Sequence, residues 1–211
     1  MNTLQLLDQN REWVAERTRF DPDYFKRQAA KHQPHSLFIG CSDARVPSEE
    51  ITGTDVGELF VHRNIANQVV ATDNNLMAVV QYAVEVLEVR DIIVCGHEEC
   101  GGVKASLGTN APSHVDGWLA HVRNVARLHE AELDRIADTA TRCLRLVELN
   151  VREQVRNLSK LTFIAGELLA RNPIRLHGWV YGISNGLLRD LHVDLAADGP
   201  RGHQLERRKA G

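Results

Sequence analysis

The feature that most restricts the fold runs from Asp73 to Gly102. Leu76, Val79, Val80, Ala83, Val84 and Leu87 recur at helical spacing, which predicts an amphipathic helix over 73–88. A short β-rich run, Asp91-Ile92-Ile93-Val94, follows at once and predicts a strand over 91–95. Then comes Cys95-Gly-His-Glu-Glu-Cys-Gly-Gly102, a glycine-rich turn that opens a further short helix from about Val103. Strands that alternate with helices in this way build a parallel sheet with right-handed crossovers. The turn therefore lies at the carboxyl end of a strand, where open α/β sheets place their ligands.

The rest of the chain extends the pattern. Residues 3–20 predict a helical arm with a narrow apolar stripe, whose Trp13 and Phe20 call for cover by a partner subunit. Asp21-Pro22 predicts a second helix, with Asp21 as N-cap and Pro22 at the first helical position. Leu37–Gly40 and Glu58–His62 read as strands, separated by Pro47, Gly53 and Gly57. Residues 108–117 read as loop. Helices are expected over 118–130, 139–158 and 161–171, the second with Leu144, Val147, Val151, Val155 and Leu158 on one stripe and Pro173 ending the third. Ile174–Tyr181 and Leu191–Leu195 complete the strands. The expected architecture is α/β, a single domain with a mainly parallel four- to five-stranded sheet flanked by helices. Its parts are an N-terminal helical arm (1–35), the α/β domain (36–195) and a polar tail (196–211). If the first and third strands are neighbours and the second lies beyond the first, their two loops open at one topological switch point.

Composition narrows the function. The chain is 43% hydrophobic and 25% charged with a net charge of −3, and Arg207-Arg208-Lys209 is its nearest approach to a basic cluster. No nucleic-acid footprint follows from that. No apolar run is long enough to span a bilayer and the first residues lack a basic-then-apolar leader, so no membrane association and a cytoplasmic location are expected. Cys41, Cys95, Cys100 and Cys143 suit reduced thiols in a core or on a metal better than a disulfide framework. Cys143, within a helix and far from the loops, reads as a buried inert thiol. No Cys-x-x-Cys is present, which argues against thiol redox chemistry.

Cys41-Ser-Asp-Ala-Arg45 follows one strand and His97-Glu-Glu-Cys100 follows another, so one crevice would collect two thiols and an imidazole. That donor set favours zinc. Cys95 is either a fourth ligand, closing a structural site, or a core thiol; without it, three protein ligands and an open position describe a catalytic zinc. Asp43 and Arg45 alternate with Cys41 along an extended segment and point into the same crevice. Asp43 either binds the metal or accepts a hydrogen bond beside it, fixed by Arg45.

Together, Cys41-Ser-Asp-Ala-Arg45-Val-Pro, Leu59-Phe-Val-His-Arg63-Asn-Ile-Ala-Asn67, Cys95-Gly-His97…Cys100-Gly-Gly and His177-Gly-Trp-Val-Tyr181-Gly resemble the β-class carbonic anhydrases, over about residues 20–195. The resemblance implies that Cys41, His97 and Cys100 bind Zn2+, that Asp43 and Arg45 form a catalytic dyad, and that carbon dioxide and bicarbonate are interconverted. Residues 36–195 then form the zinc-binding catalytic domain. It also implies a homo-oligomer, a dimer with exchanged arms or a dimer of dimers. In some relatives the aspartate becomes a fourth zinc ligand, favoured by bicarbonate in a pocket of tryptophan, arginine and tyrosine; here the positions are Phe38, Arg63 and Tyr181. Two alternatives share the scaffold: hydrolysis of carbon disulfide or carbonyl sulfide, and a catalytically silent zinc-binding assembly protein. Glu98 and Glu99 stand where relatives often carry an aromatic and a small residue, and they either add negative charge to the site or point to solvent. The segment Lys31–Pro34 is one residue shorter than usual, which leaves Gln33, a pocket residue in some relatives, without an assigned role.

Overall fold

The computed structural model describes residues 2–108 and 111–195, and the expected polar tail lies outside them. The chain divides into two compact units, Met1–Gln33 and Pro34–Gly211.

The first unit holds α1 (Thr3–Phe20) and α2 (Tyr24–Ala30). Asn2 caps α1, its Oδ1 accepting from the Gln5 N–H at 2.9 Å while Gln5 Oε1 accepts from the Asn2 N–H at 2.7 Å. Trp13 meets Phe25 edge-on at 5.3 Å, and Arg17 lies over both Trp13 and Tyr24. No α1 residue is buried, and Leu4, Leu7 and Phe20 stay exposed. The expected cap of α2 moves: Asp23 occupies the N-cap position. Asp21 instead ends α1, its N–H on the Arg17 carbonyl and its carboxylate engaged by the Arg27 guanidinium.

The second unit is built on five strands: β1 (Ser36–Cys41), β2 (Leu59–Asn64), β3 (Asp91–His97), β4 (Arg175–Tyr181) and β5 (Leu188–Asp190). Their order is β2-β1-β3-β4-β5, parallel except for the β4–β5 pair. The first and third strands are neighbours with the second outside the first, so the expected switch point falls at the ends of β1 and β3. The last strand forms three residues earlier than the sequence suggests. Gly186 at φ +72° turns the chain straight back onto β4, and His192 at φ +48° follows the strand's end.

Between the strands lie α3 (Ser48–Thr52), α4 (Asn74–Gln81), α5 (Gly101–Ser106), α6 (Ser113–Leu128), α7 (Glu130–Leu133), α8 (Thr139–Ser159) and α9 (Thr162–Glu167). The helix read over 73–88 is two pieces. Asp73 caps α4 as its start, but Tyr82–Val86 widens into a π-turn, and Glu88 at φ +55° leads out of it. α6 starts within the stretch read as loop, where His114 and Gly117 mask the periodicity. An Asp116–Arg123 ion pair ties its first turn to its third.

The sheet's alternation divides the core. Leu37, Ile39, Cys41, Ile92 and Val94 join the large cluster with α6 and α8. Phe38, Ile93 and Cys95 join a second, smaller one with Trp179 and Tyr181. The buried stripe of α8 is broader than its spacing suggests. It takes in Leu146 and Leu149, leaves Leu144 only partly covered, and includes two amides, Asn150 and Gln154. Cys143 is buried on α8, and burial raises its thiol above the ordinary value.

Candidate metal centre

β1 delivers Cys41 as its last residue, β3 delivers His97 as its last residue, and Cys100 stands at the N-cap of α5. All three are buried, and their ligand atoms lie within 4.8 Å of one another, a grouping found only here among the described residues. The sulfurs of Cys41 and Cys100 are 3.9 Å apart. Two thiolates at about 2.3 Å from a tetrahedral zinc would stand roughly 3.8 Å apart, so the pair already has the required span.

His97 supplies a second test of fit. Its Nδ1 lies 2.8 Å from the Glu98 carbonyl oxygen, which can only accept, so Nδ1 carries the proton. Nε2 then presents a lone pair. That atom is buried and has no hydrogen-bond partner among the described residues. A buried imidazole nitrogen left bare beside two thiols is costly unless a cation takes the lone pair.

Without a metal the thiols share a proton unequally. Cys41 is pulled below its ordinary value, chiefly because the Cys100 thiol donates to it, with help from the backbone N–H groups of Asp43 and Ala66. Cys100, as the donor, is driven up. Burial pushes Cys95 up to about 12, and it packs on the other sheet face from Cys41.

Asp43 is turned to Arg45. The guanidinium donates through Nε to Oδ1 at 3.0 Å and through Nη2 to Oδ2 at 2.8 Å, and the Arg45 N–H adds a bond to Oδ1 at 2.9 Å. This fork holds the Asp43 carboxyl well below the usual carboxylate range. Oδ2 lies 3.8 Å from His97 Nε2, beside the ligand trio rather than on the imidazole. Glu99, exposed and at φ +53°, brings its carboxylate to 3.8 Å from Arg45 Nη1, whereas Glu98 is half-buried. Gln33 is solvent-exposed.

The residues read as a bicarbonate pocket lie on β1, β2 and β4. Arg63 donates through Nε to the Cys41 carbonyl at 2.8 Å and through Nη2 to the Asp43 carbonyl. Phe38 is fully buried, and its ring fills the space where a side chain at position 40 would stand. Tyr181 is half-buried, with its carbonyl accepting from the Glu98 N–H at 3.0 Å.

Sequence reasoning missed the turn Ile65–Asn67. Ala66 and Asn67 both adopt positive φ, at 62° and 47°, although neither is glycine and both are buried. For Ala66 that conformation costs on the order of 1 kcal/mol, whereas asparagine enters the left-handed region more readily. Ala66 is also the residue whose N–H faces the Cys41 sulfur. The available signal was in α8, where Asn150 and Gln154 interrupt an apolar stripe four residues apart.

Comparison with known proteins agrees with this geometry. A family model described as carbonic anhydrase matches residues 36–188. The chain is 46% identical to a carbonic anhydrase of Emericella nidulans over 190 residues, 90% of this chain and 83% of that protein. Among solved structures it is similar to a tetrameric β-carbonic anhydrase of Sordaria macrospora, at TM-score 0.86 and 36% identity, covering 89% of this chain and 95% of that one. It is also similar to the β-carbonic anhydrase CafA of Aspergillus fumigatus, at TM-score 0.86 and 33% identity, covering 98% and 96%. With its Cys-His-Cys cluster at the switch point of a sheet of this kind, the chain belongs to the β class of the carbonic anhydrase family.

Proposed function

We propose that the protein catalyses the reversible hydration of carbon dioxide to bicarbonate and a proton, with zinc held by Cys41, His97 and Cys100. The observation that carries this reading is the bare, buried Nε2 of His97, set beside two thiols at zinc-ligand spacing. When bound, the metal supplies a Lewis acid that makes water a nucleophile near neutral pH. Cys41 and Cys100 hold the site's two negative charges away from solvent. Asp43 stays ionised in the grip of Arg45, so its Oδ2 accepts a hydrogen bond from the attacking water and orients a lone pair towards carbon dioxide. The same low proton affinity keeps Asp43 from retaining the proton, which passes on to solvent.

A homo-oligomer, dimer or dimer of dimers, is part of the reading. The Sordaria relative is tetrameric, and α1 leaves Leu4, Leu7 and Phe20 exposed. No helix among the described residues is long and apolar enough to cross a membrane, and the cytoplasmic assignment rests on four unpaired cysteines.

The test is stopped-flow hydration of carbon dioxide with zinc content measured on the same sample, and carbonyl sulfide and carbon disulfide as comparison substrates. Turnover that scales with zinc supports the proposal. Zinc-loaded protein without hydration activity would overturn it in favour of the silent scaffold, and preference for a sulfur substrate would reassign the reaction.

A further inference from the structure

The turn at Ile65–Asn67 touches every ligand-bearing element. It continues from β2 and is tied to the end of β1, where the Ser42 N–H donates to the Asn64 carbonyl at 2.9 Å. On the α5 side it packs so closely that a Cβ at Gly102 would stand 2.7 Å from Ile65 and 3.3 Å from Ala66. On the β3 side Asn67 Oδ1 lies 3.5 Å from where a Cβ at Gly96 would be, one residue before His97. A shift of this turn therefore moves Cys41, His97 and Cys100 relative to one another.

Its strained backbone is held from α8. The Ala66 carbonyl accepts from Asn150 Nδ2 at 3.0 Å and from Gln68 Nε2 at 2.6 Å. Gln68 Nε2 and Gln154 Nε2 both donate to Asn150 Oδ1, at 2.8 and 3.0 Å. Gln154 Oε1 in turn accepts from the Val69 N–H at 2.8 Å, just past the turn. Asn150 is 1% exposed and takes part in three of these five bonds, joining the Ala66 carbonyl to both Gln68 and Gln154. Buried amides on an otherwise apolar stripe persist when their bonds specify one arrangement.

We propose that Asn150 is a positioning residue for the metal centre, acting through the left-handed turn at Ala66. The inference rests on the reading of Cys41, His97 and Cys100 as the zinc ligands. Outer residues that orient ligands change metal affinity by about 10–100-fold when removed. Asn150→Ala frees the Ala66 carbonyl from one donor and removes one of the two acceptors of Gln68 Nε2. Asn150→Asp keeps the shape and the acceptor and replaces the amide donor by a carboxyl that burial favours in its neutral form. Val155→Ala loosens the buried face of α8 where it packs over Gly178 of β4 and removes no hydrogen bond to the turn.

Two measurements on the full chain test this: the rate of zinc release to a colorimetric chelator, and the thiolate-to-metal absorption of the cobalt-substituted protein. Folding is checked by circular dichroism of the metal-free forms. Asn150→Ala is expected to release zinc about tenfold faster or more, with a shifted cobalt spectrum. Asn150→Asp should fall between it and the parent, and it carries the test if the alanine variant is insoluble. Val155→Ala should match the parent in both readouts. Folded Asn150 variants with parental release and spectrum would overturn the proposal, as would Val155→Ala releasing zinc equally fast. A parent that binds no metal would overturn the zinc reading and this inference with it.

Discussion

Gly96 offers a sharp test of how the scaffold governs the metal centre. It lies between Cys95 and His97 on β3, directly beneath α8. A Cβ there would stand 2.6 Å from Val151 Cγ2 and 3.1 Å from Val147 Cγ1. Ordinary carbon contacts lie at about 3.5–4.0 Å, so in Gly96→Ala the strand and helix must part by roughly 1 Å. Overpacking of that kind costs about 1–3 kcal/mol. For a domain of this size, that lowers the melting temperature by about 2–12 °C. The displacement falls next to a ligand, and a 1 Å misplacement is worth about 10²-fold in rate. Expected results are a lower melting temperature for the metal-free protein, reduced zinc retention, and turnover reduced by about 10²-fold even when zinc is saturating. Two companions isolate the cause. Val151→Ala, added to Gly96→Ala, removes the clashing methyl groups and should recover part of both losses. Gly101→Ala, in the same glycine-rich turn but with nothing within 4 Å of its Cβ position, should behave as the parent. Parental stability and turnover in Gly96→Ala, or no rescue by Val151→Ala, would refute the reasoning.

Four further outcomes are expected. Cys41→Ser and His97→Ala should lose zinc and activity together, whereas Cys95→Ser should keep both, as metal analysis beside the hydration assay will show. Asp43→Asn and Arg45→Ala should retain zinc and lose about 10²-fold or more in turnover, since they orient the nucleophile rather than hold the metal; either variant turning over at the parental rate would remove the dyad from the mechanism. Asp91 is held below its ordinary range chiefly by Arg175, with His177 adding a bond at 2.8 Å. A depressed carboxyl contributes stability above its unfolded value of about 3.9 and loses it as pH falls through the folded one, so the melting temperature of Asp91→Asn should fall less steeply than the parent's below about pH 4. Bicarbonate should inhibit the parent only weakly at mildly alkaline pH, because Arg63 is committed to two carbonyls and Phe38 lacks an indole N–H; strong cooperative inhibition would show that Arg63 leaves them.

What the sequence discloses about this site is the part carried by local chemistry. Thiol, imidazole and glycine cluster within a few residues of a strand end, and the alternation of strands with helices places two such ends side by side. The misreadings have a different origin. Asp21 and Asp23 are both competent caps, and an ion pair with Arg27 decides between them. Tyr82–Val86 keeps helical periodicity while its hydrogen bonds widen, which no pattern of apolar residues records. Ala66 gives no sign of a left-handed backbone, since its conformation is imposed by Asn150, far along the chain.

Cys95 of β3 and Cys41 of β1 show where sequence spacing suffices and where it does not. Cys95 and Cys41 end up on opposite faces because Gly40, not Cys41, pairs in register with Cys95. With a side-chain period of two, neighbours in register share a face, so Cys95 sides with Phe38 and Ile93 while Cys41 sides with Ile39. Strand register alone thus separates a ligand from an inert thiol two residues before His97. His97 has the parity of Cys95, yet its Nε2 joins the Cys41 sulfur. It is the last residue of β3, still in register with Tyr181 of β4 but beyond the β1 pairing, which stops at Cys95 and leaves the space above the end of β1 open to its ring. Its ring is set instead by the bond from Nδ1–H to the Glu98 carbonyl, and the Glu98 N–H is anchored to the Tyr181 carbonyl of β4. The ligand that completes the centre is therefore aimed by the first backbone groups of the turn together with the end of β4, which is why a glycine-rich turn at this strand end matters as much as the donors it carries.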